Sequence, residues 1–239
     1  MIRTYPDNTF QYFCDPWWER DEGKSYCRGR LVQVFIPHVG QTPYQLIPQG
    51  RAEATIHDKA LCQIAPLRAH QKKPSTKLPM AGIPVYSGEV LTVYRAKLRP
   101  ALIIAKEGKE VDKVLRQDKP KWQTSPTILV APYYGADEGG KRAGFKSEFR
   151  SRVCTGEYPQ FVWDSLPIGP STEESILRLD HIQPVGDHHE SINLTPFKLT
   201  PEALDIIDEW IRWLIWGVWK EGSSFDFLRA ELMAISKDE

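Results

Sequence analysis

An arginine directly before a proline, in front of a branched apolar run, is the first place where this chain could do chemistry. Arg99-Pro100 heads Ala101–Ala105 in "VYRAKLRPALIIAK". Proline cannot donate to a sheet ladder, so it belongs at an edge, at a bulge or at a strand's first position. The run behind it reads as a buried strand. Arg99 then stands at the strand's mouth, a poor location for packing and a good one for holding an anion. Alternation on a strand through 93–99 would put Arg95, Lys97 and Arg99 on one face. Two readings fit that row: a solvated edge guarded by charge, or a cradle for phosphate oxygens, which guanidinium groups bind through paired donors.

A second basic stretch is "GGKRAGFKSEFRSR", residues 139–152, where Lys141, Arg142, Lys146, Arg150 and Arg152 are interleaved with Phe145 and Phe149. Cations for a backbone and aromatic faces for bases are what single-stranded nucleic acid binding uses. A solvated loop fits the same composition. The six histidines raise the question of a metal. Adjacent His188 and His189 would point apart on regular backbone and no helical His-x-x-x-His occurs, so no metal site is expected. His181 follows Asp180, but strand alternation would send the two to opposite faces, which favours a structural histidine. Nucleophile-elbow, Walker and dinucleotide-binding glycine patterns are lacking.

The elements that must position these residues are mostly strands. "LVQVFIP" (31–37), "GEVLTVYRA" (88–96), "PALIIA" (100–105), "TILVAPYY" (127–134), "YPQFVWD" (158–164) and "SILRLDHIQPV" (175–185) are rich in Val, Ile, Leu and Tyr. Such spacing predicts a small antiparallel barrel or curled sheet. "ATIHDKALCQI" (54–64) reads as a short helix, and the basic, proline-bearing 68–84 as a linker or long loop. Thr200 suits an N-cap and Pro201 a first helical position, with Glu202 and Asp205 at the positive end. Leu204, Ile207, Ile211, Leu214, Ile215 and Val218 form one stripe of the helix that follows. Trp213, Trp216 and Trp219 fall outside it. Either the amino-terminal segment covers them or they form a dimer or partner surface.

At 239 residues, 41% hydrophobic and 26% charged, the chain can bury a substantial core. Its formal net charge is zero, so attraction to nucleic acid or acidic membrane must come from a local patch. No run approaches the length of a membrane helix, and "MIRTYPDNTF" lacks the apolar core of a signal peptide. Cys14, Cys27, Cys62 and Cys154 are scattered, as expected for reduced thiols in a cytoplasmic protein.

In order, "GEVLTV", "RPALIIA", "PTILVAPYY" with "YPQFVW", and "ESILRLDHIQPV" with the "LTPEALDIIDEWIRWLI" helix resemble the MazF/PemK family of toxin endoribonucleases. The resemblance spans about residues 86–218. It implies a mainly β, α+β fold: a small SH3-like antiparallel barrel with a carboxy-terminal amphipathic helix over 86–239. Residues 1–85 would be an amino-terminal extension packing on it. It also implies metal- and cofactor-independent cleavage of single-stranded RNA to 2′,3′-cyclic phosphate and 5′-hydroxyl ends, a homodimer, and a cognate antitoxin or regulatory protein as partner. The family's catalytic arginine falls on Arg99. Its Thr or Ser partner falls on Tyr134, a phenol that can donate a hydrogen bond. RNA contacts would come from Arg95, Lys97, Lys141, Arg142, Phe145, Lys146 and Phe149. His181 stands where the family has glutamine, and 135–156 is longer than usual. The alternative is a catalytically silent barrel that binds RNA or a protein.

Overall fold

The computed structural model describes residues 5–38, 40–53, 55–56, 59–69, 88–106, 112–118, 127–136, 145–169, 173–186 and 190–235. Within them the protein is mainly β, with eleven strands and five α-helices. A curled antiparallel sheet forms a half-barrel and carboxy-terminal helices follow it. Contacts group the chain into two compact units, residues 1–35 with 98–239, and residues 36–97. The segment expected as one extension, 1–85, is therefore shared between them.

In the larger unit the sheet runs β1 (Trp18–Arg20), β11 (Ile192–Leu199), β2 (Arg30–Pro37), β6 (Ala96–Lys106), β7 (Thr127–Gly135), β9 (Ser175–Arg178) and β8 (Phe161–Asp164). The long β7 organises it. One edge pairs with β6, with Ala101 opposite Pro132. The other edge is divided between β10 (Gln183–Gly186), where Gln183 faces Val130, and β9, where Tyr133 faces Leu177. Strand β6 begins at Ala96, earlier than the expected start at Pro100. Leu102, Ile103, Ile128, Ile176 and Leu177 are fully buried along these strands, as continuous branched apolar runs require when both faces are covered.

Helix α4 (Pro201–Trp216) is set by the expected signals. The Thr200 hydroxyl accepts from the Ala203 amide at 3.3 Å, Pro201 opens the first turn, and Gly217 ends the helix at φ 72°. Its buried face matches the expected stripe only in part. Ile207 is buried and Leu204, Ile211 and Leu214 pack against the core, but the stripe is not the deepest line. Ala203, Ile206, Ile207 and Trp210 point inward, whereas Ile215 and Val218 are each 60% exposed. The reason is what packs alongside. Phe10 of α1 (Phe10–Phe13) and Phe225 of α5 (Ser224–Ile235) lie 4.7 and 5.2 Å from the Trp210 ring and draw that side in. Trp213 and Trp219 join Phe225 in the same aromatic cluster. Trp216 stays exposed.

From the amino-terminal segment Tyr5, Phe10, Trp17 and Leu31 enter this core. Trp17 is buried, and the Trp18 indole donates to Asp164 Oδ1 at 3.2 Å, while the buried Tyr133 hydroxyl donates to Asp164 Oδ2 at 3.0 Å. Burial, then the Asp164 charge, hold the Tyr133 phenol protonated well above its ordinary range.

The smaller unit contains a three-stranded sheet ordered β4 (Ala60–Pro66), β3 (Tyr44–Arg51), β5 (Leu91–Val93). The helix expected over 54–64 is absent from its described part, because 60–66 pairs with β3 from Tyr44↔Pro66 to Arg51↔Ala60. Tertiary pairing outweighs a weak helical pattern. Pro48, which lacks an amide hydrogen, sits where the register shifts. Two short helices complete the described elements: α2 (Lys113–Arg116) and α3 (Ser147–Cys154). The latter occupies part of the stretch read as a loop. Residues 70–84 of the expected linker lie outside the described residues.

Candidate functional site

Antiparallel register brings the two expected catalytic side chains together. From the Ala101–Pro132 pair, two steps along each strand set Arg99 of β6 against Tyr134 of β7. The Arg99 guanidinium carbon lies 4.0 Å from the centroid of the Tyr134 ring, in cation–π contact. Both residues are half-buried, Tyr134 near the end of β7 and Arg99 inside β6 rather than at its mouth, so neither is consumed by the core.

Three further groups complete the cluster: Arg178, the last residue of β9, and Asp180 and His181 just after it. The Tyr134 hydroxyl is 2.9 Å from His181 Nδ1. His181 Nε2 is 2.9 Å from Arg178 Nη2. Arg178 also grips Asp180 as a fork, Nε to Oδ1 at 2.7 Å and Nη2 to Oδ2 at 2.6 Å, the paired geometry that makes guanidinium–carboxylate contacts directional. A 3₁₀ turn over Leu179–His181 explains the convergence. Strand alternation would separate Asp180 from His181, but the tighter turn lets Arg178, Asp180 and His181 meet. Two guanidinium groups thus share the site with one carboxylate.

A guanidinium only donates, so His181 Nε2 must accept. A neutral imidazole then carries its hydrogen on Nδ1 and donates it to the Tyr134 oxygen, leaving the phenol's own hydrogen for another acceptor. Protonating His181 would force Nε2–H against Arg178. Burial, the Arg178 charge and the Arg99 charge lower the imidazole's affinity for a proton below its ordinary value, with Asp180 opposing. The ring is therefore neutral at pH 7.

The remaining expected site residues are distributed differently. Arg95 lies outside any strand, between β5 and β6, and its Nε donates to Gln41 Oε1 at 2.7 Å. It falls outside the alternation that was expected to align it with Arg99. Lys97 is exposed, and with Arg95 belongs to the 36–97 unit. Phe145 and Phe149 stack on each other at 5.0 Å, and Phe149 packs against Tyr158 and Phe161. These rings lean on the core rather than standing open. The cluster nevertheless reaches the site, since Phe161 pairs with Arg178 across β8 and β9 and lies 4.9 Å beneath its guanidinium. Lys146 is exposed just before α3. Lys141 and Arg142 lie outside the described residues, as do His188 and His189.

The sequence alone does not single out Arg178, and strand alternation makes His181 a structural histidine; the fold places both in the cluster. The available signal was the alternation of charge in "RLDH", which a strand reading scatters and a turn gathers. Among the described residues no group of three or more His, Cys, Asp or Glu side chains could hold a metal ion, and no helix is long and apolar enough to cross a membrane. No protein-family model, no curated protein and no solved structure matches the chain.

Proposed function

We propose that the chain is a metal-independent endoribonuclease of the MazF/PemK kind, acting on single-stranded RNA. One observation carries the reading: a guanidinium lies over a phenol whose hydroxyl is bonded to a neutral imidazole. Those three groups supply what cleavage by a neighbouring 2′-hydroxyl needs. Arg99 holds the phosphoryl oxygens and meets the charge that grows on them, often the largest catalytic term. Tyr134 offers a proton to the departing 5′-oxygen. His181, neutral near pH 7, is the base for the attacking 2′-hydroxyl. A second copy of the chain and an inhibitory protein partner are part of the same reading.

The second reading, a barrel that binds RNA without cleaving it, draws on another feature. Both ring nitrogens of His181 are hydrogen-bonded, which would keep it from acting as a base unless one bond opens. Incubating purified protein with single-stranded RNA in excess chelator, then mapping ends, separates the two. New 5′-hydroxyl ends that vanish with Arg99→Ala support the nuclease. Intact RNA retained tightly supports the binding module.

A further inference from the structure

We propose that Arg178, forked onto Asp180, is a positioning residue that locks His181 in its Nδ1–H tautomer and thereby aims the Tyr134 hydroxyl hydrogen at the substrate's departing oxygen. The inference rests on the nuclease reading for its chemistry but on hydrogen-bond geometry alone for the lock. Nη2 of Arg178 faces both Asp180 Oδ2 and His181 Nε2. The carboxylate fixes the fork, at side-chain exposures of 20% for Arg178 and 30% for Asp180. A fixed donor at Nε2 leaves the single imidazole hydrogen only one place, Nδ1. The phenol oxygen accepts it, so the Tyr134 O–H must turn to something else.

The same contact gates the base. Arg178 lies 5.7 Å from the Tyr134 ring centroid, close to where Arg99 would hold a phosphodiester. The substrate's 2′-hydroxyl, once seated, takes the place of Nη2 at the Nε2 lone pair, while the imidazole hydrogen stays on Nδ1 against the Tyr134 oxygen. The 2′-hydroxyl proton then passes to Nε2 as the bond from the 2′-oxygen to phosphorus forms. His181 hands its Nδ1 hydrogen to Tyr134, and Tyr134 hands its own to the 5′-oxygen as that oxygen leaves phosphorus. One proton enters the relay and one leaves it. The products are the cyclic phosphate and a 5′-hydroxyl, and the imidazole is left as its other tautomer, which resets by exchange with water. Without substrate, Arg178 occupies the base.

The lock is read directly by long-range proton–nitrogen NMR of protein labelled with nitrogen-15 at histidine, with His181→Gln assigning the resonance. At pH 7.5 the wild type is expected to show Nδ1 protonated and Nε2 bare, and Arg178→Ala to shift the population toward Nε2–H. A wild-type ring dominated by Nε2–H overturns the proposal with no variant needed. So does a folded Arg178→Ala whose tautomer is unchanged. In cleavage, Arg178→Ala is expected to lose about 10²-fold in kcat and to move the acid limb of the pH profile upward, toward an ordinary imidazole. An unmoved limb in an active variant also contradicts it. Failure of the wild type to cut RNA would end the nuclease reading while the NMR result on the tautomer stands by itself.

Discussion

The guanidinium of Arg99 rests on the face of Tyr134, 4.0 Å from the ring centroid, because the β6–β7 register makes the two residues cross-strand neighbours. A half-buried cation–π pair of this kind contributes about 1 kcal/mol and holds both groups in one orientation. The charge is thereby kept where a phosphate would meet it, and the phenol oxygen is left to His181.

Replacing Arg99 separates charge from shape. Arg99→Ala is expected to lower single-turnover RNA cleavage by about 10²–10³-fold, with only about 1 kcal/mol lost from folding stability. Arg99→Lys keeps the charge without the fork and should fall between the two. Cleavage that is equal in all three proteins would remove Arg99 from the reaction.

Tyr134→Phe keeps the ring beneath Arg99 and deletes only the hydroxyl. Cleavage should drop by about 10²-fold while thermal melting stays close to the wild type. Single-turnover rates beside melting curves check this. Undiminished cleavage would mean the leaving oxygen takes its proton from elsewhere.

Much of this frame can be read from residue types alone. The Thr200 cap with Pro201 and the branched runs at 100–105 and 127–134 each specify their local structure through short-range physics. What escapes is set by longer-range partners. The inward face of α4 depends on Phe10, nearly two hundred residues away in the chain, and on Phe225 in the next helix. The strand at 60–66 exists because β3 is there to pair with it. In the site, one 3₁₀ turn decides whether Asp180 and His181 diverge or converge. No alternation rule reports such a turn. The cluster of Arg178, Asp180 and His181 beside Tyr134 therefore becomes visible only in the fold.

His181 also makes stability depend on pH. Burial first, then the Arg178 charge, place its folded value below the ordinary 6.5, with Arg99 adding to the shift and Asp180 opposing it. Below 6.5 the unfolded chain binds the proton that the folded ring refuses, so stability is full above that pH and declines as pH falls through it toward the folded value. Denaturant midpoints measured between pH 7.5 and 5 should fall in the wild type and fall less in His181→Gln. Identical slopes would show that another group carries the dependence.

Gly156 tests how the amino-terminal segment is seated. Its φ is +69°, and a Cβ there would meet the Phe10 ring at 2.7 Å and the Trp210 ring at 3.5 Å. Gly156→Ala combines left-handed backbone strain with overpacking of a ring that has no room to move, for a loss of about 2–4 kcal/mol. Chemical denaturation gives the value. A loss under about 0.5 kcal/mol, the range of ordinary surface substitutions, would mean that Phe10 is not held against Trp210 in solution.

In the proposed reaction Arg99, Tyr134 and His181 direct a ribose 2′-hydroxyl onto its neighbouring phosphorus. A single-stranded RNA and the same strand with one 2′-deoxy nucleotide at the mapped cleavage position, both in excess chelator, test it most directly. The first should yield a 2′,3′-cyclic phosphate, seen by phosphorus NMR, and the second should show no cut at that position. Cleavage at the deoxy position, or a requirement for a divalent cation, would contradict it.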